Sequence, residues 1–153
     1  MATRAQRAKL DRLMRELIAH EPQVHYSQAR PMPVHLAKPR YPLVLDCSSA
    51  VTMLCKWAGL DDPNGLGYRS GSGYTGTLAA HLPHYFDAWR AHVGALVLLG
   101  PGTGEHVCMV LEPAHSNPLL FSHGMERGPI AIRLHDEAQY HNPPTTFLSI
   151  AAL

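Results

Sequence analysis

Cys47 directly follows Asp46 at the head of a run that reads as an amphipathic helix. Backbone N–H groups and the helix dipole at such a position favour a thiolate, the attacking form of cysteine. Cys55 falls two turns further along the apolar stripe, and Cys108 follows His106 in an apolar strand, so both read as core. A cysteine nucleophile needs a base, and the base needs an orienting group. The chain has 11 histidines, and two stand in suggestive places. His106 follows a Gly-rich turn and opens a strand, where a sheet edge can hold an imidazole rigidly. His123 follows the next strand, in Phe121-Ser-His-Gly124, and adjacent antiparallel strands are expected to set the two rings side by side. Taken singly, each has a plainer reading: a buried structural cysteine, and structural or solvated histidines.

These residues must be held by particular elements. Residues 4–19 read as a helix, with Leu10, Leu13, Met14, Leu17 and Ile18 at three- and four-residue spacing, ended by Glu21-Pro22. Residues 22–43 hold five prolines and read as an ordered connecting arm. The next helix has Asp46 as its N-cap, Cys47 to Ala58 as its body and Gly59 as its stop. Residues 61–76 show no regular pattern, and a short helix is expected after a cap at Thr77, ended by Pro83. Val93–Leu99 and Val107–Glu112 read as a hairpin around Gly100-Pro-Gly-Thr-Gly-Glu105. Leu119–Ser122 and Ile130–Leu134 read as further strands, and Phe147–Ile150 as a last edge strand. Helices followed by a meander of strands indicate an α+β domain.

Composition bounds the alternatives. A chain of 153 residues suits one domain with a real core, and 46% apolar with 16% charged residues excludes a disordered chain. The net charge of +1 gives no global field for nucleic acid, and no apolar stretch is long enough for membrane insertion. The polar start, Met-Ala-Thr-Arg-Ala-Gln-Arg, lacks the apolar centre of a signal peptide. Charge is uneven: residues 1–40 carry eight basic and three acidic groups, residues 41–153 five and nine. The basic arm reads as a solvated helix face, or as a contact for an anionic surface such as a bacterial wall. Three cysteines cannot all pair, and no Cys-x-x-Cys spacing suggests zinc.

Weaker groupings read as ordinary structure. Pro83 separates His81 from His84 and argues against a shared metal face. His135-Asp136-Glu137 and His141 have the residue types of a zinc site but no ligand pattern, and read as a solvated C-terminal loop. Asp61, Asp62 and Asn64 lack the ligand order of a calcium loop. Trp57, Trp89, Tyr68 and Tyr74 read as core and loop packing rather than a sugar platform.

Four segments in order carry a family resemblance. Leu45-Asp-Cys-Ser-Ser-Ala-Val51 resembles the Asp-Cys-Ser-Gly-Phe signature of NlpC-type cell-wall cysteine endopeptidases. Gly94-Ala-Leu-Val-Leu-Leu-Gly100 is similar to that family's Gly-Asp-Leu-Val-Phe strand, His106-Val-Cys-Met-Val110 to its His-Val-Gly-Ile strand, and Phe121-Ser-His-Gly124 to its Val-His-Ala segment. Gly73-Tyr-Thr-Gly-Thr77 and Tyr26-Ser-Gln-Ala-Arg-Pro31 resemble forms found in actinobacterial phages. The match runs from about Tyr26 to the C-terminus. Ser49 and Ala50 stand where the family has Gly and an aromatic residue, Ala95 where it has Asp, and Cys108 where it has a small Gly beside the histidine.

The resemblance implies a papain-like α+β fold for a peptidase domain (22–153), and the apolar stripe of the N-terminal amphipathic helix (1–21) is expected to pack on it. It implies hydrolysis of peptidoglycan stem peptides, typically at the γ-D-glutamyl–diamino-acid bond. Cys47 matches the nucleophile, His106 the base and His123 the third, polar member. Tyr26 matches a tyrosine that helps stabilise the oxyanion, beside the Cys47 backbone N–H, and Ser48 falls on the same oxyanion and substrate side. Asp46 either caps the helix or receives a substrate amine. No metal or organic cofactor is required. The implied setting is a phage virion tail or delivery to the wall, with other tail proteins as partners. The alternative is a tail-tip structural or wall-binding module on the same fold with little or no activity.

Overall fold

The computed structural model describes residues 1–69, 71, 73–125 and 128–153. Thr3 starts the first helix, α1 (Arg4–Ala19): its hydroxyl accepts from the Gln6 N–H at 3.1 Å, and the Gln6 side chain accepts from the Thr3 N–H at 2.8 Å. The apolar stripe of α1 buries Leu10, Leu13, Met14 and Leu17 in the main core, where it meets α2 (Cys47–Trp57). After α1 the proline-rich arm holds two three-residue strands that its sequence did not signal, β1 (Val24–Tyr26) and β2 (Leu43–Leu45). They pair in parallel with Tyr26 opposite Leu45, which delivers Tyr26 to the doorstep of Cys47.

Asp46 caps α2 and Gly59 stops it. The Gly59 N–H bonds to Lys56 O and the Leu60 N–H to Cys55 O, both at 3.0 Å, with Gly59 at φ +79°. That is a Schellman ending, which needs a residue tolerant of the left-handed region. In the following loop the Asp62 carboxylate accepts from the N–H groups of Asn64, Leu66 and Tyr68, a turn closed on itself rather than a cation loop. Ser70 and Ser72 of that loop lie outside the described residues. The short helix α3 (Thr75–His81) begins two residues before the expected cap: Thr77 sits inside it and its hydroxyl accepts from the Tyr74 N–H at 2.8 Å. It ends before Leu82, whose extended conformation suits the residue preceding Pro83.

The remaining strands are β3 (His84–Tyr85), β4 (Leu96–Leu99), β5 (His106–Glu112), β6 (Leu119–Ser122), β7 (Ile130–Arg133) and β8 (Thr145–Leu148), with a short helix α4 (Leu134–Ala138) before β8. They form one antiparallel sheet in the order β3-β8-β4-β5-β6-β7. The architecture is therefore α+β. The last strand is not at an edge: β8 lies between β3 and β4, with Phe147 opposite Val97 on one side and Tyr85 on the other.

Strand alternation divides the sheet between two cores. Leu96, Leu98, Val107, Met109, Leu111, Phe121 and Leu148 face α1 and α2. Val97, Leu99, Cys108, Val110, Leu120 and Phe147 form a smaller core with Leu134 of α4. Burial on both faces explains why β5 reads as a continuous apolar run rather than an alternating one. No helix among the described residues is long and apolar enough to cross a membrane.

Candidate active site

The thiol end of the site is built by the α2 cap. Asp46 Oδ1 accepts from the Ser49 N–H at 2.8 Å, and Ser49 Oγ accepts from the Asp46 N–H at 2.8 Å. Arg30 adds an ion pair to Asp46 Oδ2 at 3.0 Å and is itself anchored on Gly73 O at 2.9 Å. Burial pushes the Asp46 carboxyl up, but the Ser49 hydrogen bonds and the Arg30 charge outweigh it and hold it below the ordinary carboxylate range. Of the two roles open to Asp46, the geometry is that of the cap. The Ser48 hydroxyl donates to Asp46 Oδ1 at 3.1 Å and accepts from Arg30 at 3.2 Å, so it braces this corner rather than standing free for an oxyanion.

Cys47, at the first position of α2, is the least buried of the three cysteines, and its sulfur is near enough to His106 to favour the charged ring. His106 Nε2 lies 2.9 Å from Ser122 Oγ and 3.3 Å from Glu137 Oε1, and Ser122 Oγ donates to the same Glu137 oxygen at 3.2 Å. His106 therefore has both a thiol and a buried carboxylate as neighbours. Burial disfavours the imidazolium, yet the sulfurs of Cys108 and Cys47 and the Glu137 carboxylate outweigh it, and His106 is held above the ordinary histidine range. Glu137 answers in the opposite sense: burial raises it, the His106 hydrogen bond and charge outweigh this, and it is held low. Each group thus favours the charged form of the other.

His123 is not part of this group. Its Nε2–H donates to Leu45 O at 2.9 Å and His25 O at 3.1 Å, and burial holds the ring below its ordinary range, in the neutral form. The reason is the pleat. Met109 pairs with Phe121 and Val110 with Leu120, so Leu120 and Ser122 share a face with His106, Cys108 and Val110, while Phe121 and His123 project to the other. His123 instead ties the end of β6 to β1 and to the residue before Asp46, holding the backbone that leads to Cys47 in place. The Tyr26 ring lies 5.5 Å from it, and burial raises the Tyr26 phenol, with Cys47 and Asp46 adding to the effect.

The sequence reading gave no role beside His106 to Ser122, Glu137 or His141, the last two having been weighed only as part of a weak zinc grouping. The segment expected to be a solvated loop is α4 with its flank. Leu134 and Ala138, four apart, pack on the smaller core, which brings Glu137 inward. His141 lies on the same helical side, with its ring stacked on His106 at 5.1 Å between centroids. The signals were the four-residue spacings Leu134–Ala138 and Glu137–His141, and the parity of Ser122 within its strand.

Two neighbouring cavities open here. One of about 520 Å³ is lined by Cys47, Arg30 and Ser48, and one of about 600 Å³ by His106, Ser122, Glu137 and His141. Tyr26, Gln28 and Glu105 line both, so the thiol and the imidazole look onto adjoining halves of one groove. The other cysteines are sealed in. Cys55 is fully buried and its thiol is pushed up to about 12, first by burial and then by the nearby Asp62 charge. Cys108 is fully buried behind His106.

Trp57 donates to Leu36 O at 3.2 Å and Tyr68 to Leu60 O at 2.8 Å, both as packing residues, while Trp89 and Tyr74 are exposed. Comparison of the chain with protein-family models, with curated proteins and with solved structures finds no significant match.

Proposed function

We propose that the protein is a cysteine peptidase of papain-like fold that hydrolyses an amide bond in peptidoglycan stem peptides, with Cys47 as nucleophile and His106 as base. The observation that carries this reading is that one imidazole has a helix-capped thiol as its neighbour and a buried carboxylate 3.3 Å from its Nε2. The orienting role expected for His123 passes to Glu137, assisted by Ser122, and His123 becomes a positioning residue. The substrate class rests on the sequence resemblance, as does the setting in a phage tail or at the bacterial wall.

In this mechanism His106 takes the Cys47 proton, or the two rest as thiolate and imidazolium. The thiolate attacks the amide carbon, and the Cys47 backbone N–H at the head of α2 receives the developing oxyanion. Glu137 holds the ring and stabilises its charged form. His106 then protonates the leaving amine, and water resolves the thioester. Tyr26, shared by both halves of the groove, stands beside the reacting carbonyl.

Purified peptidoglycan incubated with the protein and analysed by mass spectrometry tests the proposal. New amino groups at one defined stem-peptide bond, absent with Cys47→Ala, are expected. Undigested peptidoglycan would overturn the peptidase reading in favour of the wall-binding module.

A further inference from the structure

We propose that His106, Glu137 and His141 form a zinc site on the floor of the larger cavity. The candidate ligand atoms of the three residues all lie within 4.8 Å of one another. Glu137 Oε1 is 3.3 Å from His106 Nε2 and 3.6 Å from His141 Nε2. Zinc–ligand bonds of about 2.0–2.1 Å at the tetrahedral angle set neighbouring ligands about 3.3–3.4 Å apart. Two edges of the tetrahedron are thus nearly in place, and seating the ion requires the two rings, now 12° from parallel, to turn so that their in-plane nitrogen lone pairs converge.

Two imidazoles and one carboxylate suit zinc over calcium or magnesium, which prefer all-oxygen sites. Outer contacts that orient such ligands are also present. His141 Nδ1 lies 3.5 Å from Glu105 Oε2, Glu105 is held by the Asn142 amide at 2.8 Å, and Ser122 Oγ donates to Glu137. His141 is only partly buried and lines the cavity, which provides both an entry path and room for water or a ligand at the fourth position. Cys47 is not among the ligands of this site. One consequence does rest on the peptidase reading: an ion on His106 Nε2 occupies the position of an imidazolium proton, so the zinc-loaded protein cannot hold the thiolate–imidazolium pair.

The test is zinc titration of the full chain against a chromophoric chelator, with cobalt(II) as a spectroscopic substitute. One equivalent of zinc is expected, and the cobalt form should show tetrahedral d–d bands without thiolate charge transfer. His141→Ala and Glu137→Gln, each checked for folding by circular dichroism, should weaken binding by roughly 10–100-fold or more. Cys47→Ser should retain one equivalent of zinc. Absence of stoichiometric binding, full affinity in folded His141→Ala, or loss of binding in Cys47→Ser would each overturn the site. Because the readout is metal affinity, its failure is separate from a failure to digest peptidoglycan.

Discussion

Glu137→Gln removes one charge from the buried group around His106 while keeping its shape. Glu137 Oε1 lies 3.3 Å from His106 Nε2, with side chains 10% and 7% exposed. At that distance an effective dielectric of about 20 gives a gross attraction of about 5 kcal/mol. Desolvation of both ions cancels much of it. A hydrogen bond to a charged group retains about 1.5–3 kcal/mol, which at about 1.4 kcal/mol per pH unit is worth about 1–2 units. The sign follows from the wild type, where Glu137 helps hold His106 above its ordinary range; without the carboxylate the imidazolium is weaker and supports a Cys47 thiolate less well. The assay is the rate of iodoacetamide alkylation of Cys47 across the acidic and neutral range, with a chelator present, read by peptide mass spectrometry. In Glu137→Gln the thiolate–imidazolium pair should give way to the neutral pair, so the alkylation rate at neutral pH should fall by up to roughly 10–100-fold, with no rise of the acidic limb. A profile superimposable on the wild type, with His106→Ala still altering it, would refute the claim that Glu137 acts through His106.

Leu17 is 0% exposed, so Leu17→Ala should cost about 2–5 kcal/mol and lower Tm by about 2–4 °C for each of them in calorimetry; an unchanged Tm would contradict the docking of α1. His123→Ala leaves the carbonyls of His25 and Leu45 without its donor, at about 1–3 kcal/mol for each one left unpaired, and should lower Tm without lowering the neutral-pH rate of Cys47 alkylation. A lowered rate would return His123 to the base. Asp46 and Glu137 are both held low in the folded state, so the stability they give is complete above the ordinary carboxylate range and is lost as pH falls through their folded values. Denaturant midpoints should therefore drop on acidification, less steeply in Asp46→Asn, and an equally steep drop in that variant would remove Asp46 from the effect. Native alkylation should mark Cys47 first and leave fully buried Cys55 untouched; first labelling at Cys55 or Cys108 would overturn the assignment of the nucleophile.

The elements whose signals are local were legible in the sequence. Asp46, Ser49 and Gly59 specify both ends of α2 through contacts within a few residues, and the hairpin of β4 and β5 follows from a Gly-rich turn between apolar runs. What was not legible depended on partners far along the chain. β1 and β2 are three residues each and exist because they pair with one another across the arm, a contact no period reveals. The interior position of β8 follows from the chain's return past α4, and a short apolar run reads alike at an edge or in the middle. At the candidate site, Cys47 and His106 were singled out by position, and they line adjoining cavities. His123 was expected beside His106, but Ser122 and His123 fall on opposite faces of a pleated strand, so Ser122 faces the ring instead. Glu137 was given no role beside His106 because its neighbours read as polar, while the packing of Leu134 and Ala138 decides which way that turn faces.

The chemistry proposed for Cys47 leaves a covalent trace. A soluble stem peptide containing a γ-D-glutamyl–diamino-acid bond, mixed with the protein, quenched in acid during turnover and digested for mass spectrometry, should show the acyl fragment attached to Cys47 as a thioester. Cys47→Ala should give neither adduct nor product, and His106→Ala should give almost none of either. Product released with no adduct at Cys47, an adduct at Cys108 instead, or no reaction at all with the wild-type protein would contradict Cys47 as the nucleophile of a stem-peptide hydrolase.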